Sequence, residues 1–211
     1  MQTRRARRAR MHRRRLQAVL AAGIVLGAGT AVTLAAWTDT ENATGGFGSS
    51  VFGTESQSQG SPTYASQTTA PGATLTFNAT AMSPGTSFYA WLNVRTTPAS
   101  TVGGTVSLTS IAPSGGLASA LQYRAVRMPG ATPSSTCNAA AFTGTPVFVA
   151  GAAASYLPVS QVPATPVASP IGAAGAELGF CFEVRIAPGS ADSFQGQTGS
   201  VTWTLTATSA G

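Results

Sequence analysis

The sequence predicts an all-β fold, an antiparallel sandwich or barrel of about eight strands, preceded by an apolar N-terminal segment. Three stretches alternate between apolar and polar residues, at positions 73–79, 178–186 and 201–208. A period of two with β-branched and aromatic residues is typical of strands that turn one face to a core and the other to water. Pro and Gly pairs punctuate the chain at spacings of ~8–12 residues, which favours a sandwich or barrel.

The three alternating stretches are the clearest strand predictions. Ala73–Ala79 places Ala, Leu and Phe on odd positions and Thr and Asn on even positions. Val201–Thr208 repeats this pattern, and in the 178–186 stretch Glu183 and Arg185 share the face opposite the apolar residues. Weaker candidates complete the set: Phe88–Arg95, Thr105–Ile111, Leu121–Met128, Val147–Val149 and a short piece near Phe47–Phe52.

Two other stretches lack a strand pattern. Glu55–Thr69 is polar, and we expect it to be a loop. Tyr156–Gly175 contains four prolines, which cannot donate to a sheet ladder, so it predicts an irregular excursion or a cover over a sheet edge. A single helical turn is expected at Asn138–Phe142.

The first 36 residues have the three parts of a secretory signal: a basic start, an apolar middle and a small-residue end. Eight of the twelve arginines lie in the first fifteen residues, and Leu16–Ala36 carries no charge. We predict an apolar signal helix that is cleaved after Ala35 or Ala36, releasing the protein outside the cell. The alternative is an uncleaved anchor, because the apolar run is long enough to span a bilayer.

Charge and composition limit the function of the remaining body. The whole chain carries a net charge of +6, but after residue 35 four arginines face six acids, a net −2. We therefore expect no nucleic-acid partner, and a membrane contact only through the leader. The sole histidine, His12, lies in the leader, which removes His-containing triads and most zinc sites from the body. We predict no enzyme, metal or cofactor, and we expect Glu177 and Glu183 to be surface groups.

Two cysteines, Cys137 and Cys181, are the only ones in the chain. An even pair in an exported protein favours a disulfide. Cys181 falls on the polar face of its predicted strand, where the loop that contains Cys137 can reach it. Two free thiols are the alternative.

The leader boundary resembles a known class. The run LAAGIVLGAGTAVTLAAWTDTENATGGFGSS is similar to signals cut by the SipW-type signal peptidase, in which small residues precede an aromatic and an acid. The run Met82–Gly85 and the final strand 197–208 resemble exported proteins of the TasA/camelysin family, in an actinobacterial composition. The resemblance implies a jelly-roll fold, processing by that peptidase, and a place in an extracellular or biofilm matrix. The camelysin name implies a metallopeptidase, which a histidine-free body does not support.

In fibre-forming members of that family, a freed N-terminal segment pairs with the next subunit. We therefore divide the chain into a leader (1–35), a polar segment with a donor or edge strand (36–70) and a sandwich (71–211). The apolar residues that a donated strand offers are Trp37, Phe47, Val51 and Phe52. The alternative is that Phe47–Phe52 pairs within its own sheet.

The sequence thus predicts a secreted or cell-surface structural protein that forms polymers with itself. A membrane-anchored surface binding domain with a retained leader is one alternative, and an exported hydrolase is another.

Overall fold

A computed structural model describes residues 17, 46, 48–69, 72–77, 81–131 and 136–211. The chain divides into two units, Met1–Phe47 and Gly48–Gly211. Within the described residues, no helix has the length and apolarity needed to cross a membrane. The predicted cleavage sites at Ala35 and Ala36, and the apolar residues Trp37 and Phe47, lie outside the described residues.

The second unit is all-β, which confirms the predicted class, and its fold is sandwich-like. Its strand pairs are antiparallel, and ten strands are described where about eight were expected. Three short 3₁₀ turns lie between them, at Gly116–Ala120, Ala139–Phe142 and Asp192–Phe194. The strands are β1 (Thr54–Ser58), β2 (Ser61–Ala65), β3 (Ser87–Thr96), β4 (Gly104–Ser114), β5 (Leu121–Met128), β6 (Val147–Ala150), β7 (Leu157–Pro158), β8 (Ser169–Ile171), β9 (Glu177–Ile186) and β10 (Ser200–Ser209).

The strands form a large and a small sheet. The large sheet has the order β2-β1-β3-β9-β5-β6, with β7 also paired to β5. The small sheet has the order β10-β4-β8. The core lies between the sheets, where Val106 and Leu108 of the small sheet join Phe180, Phe182 and Tyr123 of the large one in a single buried cluster.

Six of the predicted strands are present, as β3, β4, β5, β6, β9 and β10. The predicted turn at Asn138–Phe142 is also present, and the Asn138 side chain caps it by accepting a hydrogen bond from the backbone N–H of Ala140. The proline-rich stretch 156–175 contains only the short β7 and β8, as an irregular edge cover should.

The prediction of a loop at Glu55–Thr69 is wrong over most of its length. Residues 54–58 and 61–65 form a hairpin whose first strand pairs with β3. Ladder bonds use main-chain groups, so polar side chains do not prevent a segment from pairing where a neighbouring strand is in register.

Two predicted strands are wrong where the structure describes them. Residues 72–77 of the expected Ala73–Ala79 strand, and residues 48–52 of the expected Phe47–Phe52 strand, have no strand structure. Alternation sets which side chains face inward, but a strand also needs a neighbour whose main chain is in register, and no described strand pairs with either segment.

The outer face of β9 is buried, whereas the sequence predicts that this face is exposed to solvent. Cys181 is completely buried and Glu183 is only 1 % exposed. The chain between β5 and β7 packs against this face through Phe142. Glu183 is therefore not the surface group that the sequence predicts, whereas Glu177 at the start of the strand is exposed.

Candidate functional site

The described sheet edges differ in how they are protected against pairing. Three of them carry a proline, Pro62 in β2, Pro158 in β7 and Pro170 in β8. β6, which shares its edge with β7, has only four residues. Proline and short length are two of the ways in which natural sheets prevent unwanted strand addition.

The edge of β10 lacks both of these protections. It is ten residues long, and Ser200–Ser209 contains neither a charged residue nor a proline. Within the described residues β10 pairs only with β4, with a single register shift between Thr204 and Leu205. A long, uncharged and unpaired edge is a template for another extended segment.

A groove of about 1110 Å³, lined by both polar and apolar side chains, runs beside this edge. Strand β10 forms one wall, and residues of the 67–83 segment also line the groove. The floor comes from the inner faces of both sheets, with side chains of Leu92, Val94, Val106, Leu121, Val184 and Ile186. The groove therefore lies between core side chains and an edge of β10 that has no partner strand among the described residues.

Trp203 stands at the centre of this groove wall. Its ring lies 5.3 Å from that of Phe182, 5.9 Å from that of Phe77 and 6.1 Å from that of Tyr123, measured between centroids. Its indole Nε1 is buried and has no hydrogen-bond partner among the described residues. Trp203 therefore connects this wall of the groove to the core of the large sheet.

Of the residues that were expected to donate a strand, the structure describes Val51 and Phe52, and these lie away from β10. The backbone N–H of Val51 donates to Thr101 Oγ1, and the N–H of Thr101 donates to the Val51 carbonyl, both at 2.9 Å. Val51 is 48 % exposed and Phe52 is half-buried. These two residues therefore rest on the loop after β3 and belong to no ladder of the described sheets.

A second cluster, on the outer face of the large sheet, surrounds Glu183. Tyr156 Oη donates to Glu183 Oε1 at 2.6 Å, and Ser87 Oγ donates to the same oxygen at 2.5 Å. Arg124 Nε donates to Oε2 at 2.7 Å, and the Arg124 guanidinium lies 4.7 Å from the ring centroid of Phe142. The carboxylate thus joins β3, β5, β9 and the covering chain in one network.

The predicted disulfide is present within the same covered face. Cys137 and Cys181 are bonded with their Cα atoms 5.3 Å apart, and both are buried beside Val126 and Phe142. Together with the Glu183 network, this bond holds the segment between β5 and β7 against the sheet. Alternation alone did not reveal the network, although two charged residues and a cysteine on one strand face were a signal that something covers it.

No group of three metal-ligating side chains occurs in the part of the chain that the structure describes. The polar side chains around Glu183 form hydrogen bonds with one another, as buried polar groups generally do.

All four tyrosines of the chain have a raised pKa. Burial is the largest cause in each, and it acts alone at Tyr123. The charge of Glu183 further raises the pKa of Tyr89 and Tyr156, and Glu177 does so for Tyr64. Loss of a phenol proton is therefore harder in the folded protein than in the unfolded chain.

We expect the free energy of unfolding to fall as the pH rises above about 10, the ordinary tyrosine pKa. A group whose folded pKa is raised supports the fold below its unfolded pKa, and this support is lost as the pH climbs toward the folded pKa. Urea unfolding between about pH 8 and about pH 11, with absorbance recording tyrosinate, measures this. Tyr123→Phe should flatten the decline. An unfolding free energy that stays constant over this range would contradict the assignment.

Comparison with known proteins adds no relative: neither a protein-family model nor a curated protein sequence matches this chain. The geometry of the described residues defines a sandwich-like domain in which the edge of β10 is long, uncharged and unpaired and lies beside a groove.

Proposed function

We propose that this protein is a non-catalytic, exported structural subunit that assembles with copies of itself by strand addition. The observation that carries the proposal is the edge of β10, which is long, uncharged and unpaired within the described residues. The other described edges are short or carry a proline. Such protection of the other end strands favours a pairing role for β10, although β4 beyond Val106 also lacks a partner on its β8 side within the described residues.

An incoming strand gains two kinds of stabilisation at this site. Its main chain completes a ladder with β10, at about 0.5–1.5 kcal/mol net for each hydrogen bond. Its alternate side chains enter the groove, where burial is worth roughly 1.5–3 kcal/mol for each large apolar residue. With one strand added, the small sheet has four strands, in keeping with a jelly-roll-like sandwich.

The occupant we propose is the N-terminal segment of a neighbouring copy. It offers Trp37 and Phe47 as apolar groups, whereas Val51 and Phe52 stay on the loop after β3 of their own copy. Donation by each copy to the next is a head-to-tail contact, which generates an open polymer rather than a closed dimer. The segment is free to pair in this way only after the signal helix has been removed.

Export through a SipW-type signal peptidase is part of the proposal. The basic and apolar leader supports it, and so does the disulfide, because such bonds persist in oxidising compartments outside the cytoplasm. The alternative is a surface domain anchored in the membrane by residues 16–36. Mass spectrometry of the protein in culture fluid separates them, since release predicts a start at Ala36 or Trp37 and anchoring leaves the protein in the membrane fraction with Met1 or Gln2.

The assembly proposal is tested by removing residues 36–47 from the processed chain. This deletion leaves the 48–211 unit and its Val51–Thr101 bonds in place. We expect the processed chain to elongate with time and the shortened chain to stay monomeric, as followed by size-exclusion chromatography and electron microscopy.

The matched control replaces residues 36–47 with a Gly/Ser sequence of equal length, which keeps the chain length but offers no apolar side chains. It should also stay monomeric. Elution profiles that are the same for all three proteins would rule out donation by this segment.

A further inference from the structure

We propose that residues 72–77, here called the strap, occupy part of the β10 groove in the isolated subunit and are displaced when a strand is added. The strap would therefore limit assembly until an incoming strand replaces it. This inference rests on the proposed function and concerns the regulation of the same site.

The strap has the side-chain pattern that a strand in this groove needs. Ala73, Leu75 and Phe77 are half-buried against the core, and Thr74 is exposed. The Phe77 ring lies 5.9 Å from that of Trp203 on the β10 wall. The strap thus fills apolar positions that the inward side chains of an added strand would take.

The main chain of the strap does not complete the sheet. It makes no ladder bond to β10, so the edge stays unpaired within the described residues. An incoming strand that makes these bonds has a direct advantage over the strap for the same position, because each ladder bond is worth about 0.5–1.5 kcal/mol.

The strap is attached at one point on the opposite side, the turn of the β1–β2 hairpin. Ser58 Oγ donates to the Thr74 carbonyl at 2.5 Å, and the Thr74 N–H donates to Ser61 Oγ at 3.1 Å. A Cβ on Gly60 would lie 2.6 Å from the Thr74 carbonyl oxygen, so the close approach requires glycine there. Leu75 and Phe77 form no hydrogen bond to another described residue. Attachment by two serine hydroxyls is weak enough to be reversible.

The test places a thiol on the strap of the processed full-length chain through Leu75→Cys. Both native cysteines are bonded to each other, so the added thiol is the one that reacts with a maleimide reagent. The control is Val162→Cys, on the β7–β8 excursion, where the native side chain is 36 % exposed. We expect the thiol at position 75 to react several-fold faster in the assembled protein than in the monomer, and the thiol at position 162 to react equally in both.

A second variant keeps the test decisive if Leu75→Cys fails to fold or to elongate. Ser61→Ala removes one attachment of the strap, and we expect elongation on the order of fivefold faster, the effect of losing one hydrogen bond of typical strength. Ser190→Ala, which removes a serine bond to the Ala187 carbonyl away from the strap, should leave the rate unchanged.

The outcomes separate the two proposals. Labelling at position 75 that is equal or slower after assembly would show that the strap stays in place or itself pairs with β10, and would overturn the inference. An unchanged rate for Ser61→Ala would do the same where the cysteine variant does not elongate. A wild-type processed chain that never elongates overturns the proposed function instead.

Discussion

Replacing Glu183 with alanine is expected to lower the free energy of unfolding by about 3–5 kcal/mol. Glu183 is 1 % exposed, and its partner Arg124 has a side chain that is only 12 % exposed. Removing the carboxylate leaves the Arg124 guanidinium partly buried without its counter-ion, and it takes away the acceptor for Ser87 and Tyr156. Denaturant unfolding monitored by circular dichroism measures the loss.

The chain contains a matched control for this experiment in the pair of Glu55 and Arg95. Their closest distance, 2.8 Å, is nearly the same as the 2.7 Å of the buried pair, but their side chains are 25 % and 29 % exposed. Solvent screens such a pair, so Glu55→Ala should cost less than about 1 kcal/mol. Equal losses for the two alanine variants would show that burial of the Glu183 network contributes nothing to stability.

Removing the disulfide by the double substitution Cys137→Ala and Cys181→Ala is expected to cost about 2–4 kcal/mol. The bond closes a loop with a sequence separation of 44, for which chain entropy alone predicts roughly 4 kcal/mol. Reduction of the disulfide in the wild-type protein should lower the free energy of unfolding by a similar amount. A loss below about 1 kcal/mol would mean that the covering chain already restricts the unfolded ensemble in another way.

The two losses should not add when the substitutions are combined. Phe142 packs beside the disulfide and also stacks on Arg124. Groups that share a neighbour in this way usually show interaction energies of about 0.5–3 kcal/mol. The covered face of the large sheet is therefore one cooperative structure, separate from the groove beside β10.

The contrast between these two regions bears on the proposed function. The outer face of the large sheet is closed by a buried ion pair, a disulfide and the chain between β5 and β7. The edge of β10 has none of these, although its side chains alternate as regularly as those of any other strand. The buried ion pair and the disulfide therefore lie away from the edge of β10, where we propose that one segment is exchanged for another.

The sequence by itself determined the class of fold, the position of six strands, the helical turn capped by Asn138 and the pairing of Cys137 with Cys181. These features follow from local patterns: side chains alternate along a strand, an asparagine caps the turn that follows it, and the chain has only two cysteines to pair. The leader 1–35 and the donor role of Trp37 and Phe47 remain predictions, because they fall outside the described residues.

Only the tertiary structure decided which alternating segments form strands and which polar groups are buried. Ala73–Phe77 has a better strand pattern than Thr54–Ser58, yet only the second forms a strand, because β3 offers it a partner in register. Glu183 is buried because an earlier segment of the chain covers it, which includes Tyr156 at a separation of 27 residues. Hydrogen-bond partners and burial are set by residues distant in sequence, and a local pattern does not identify those residues.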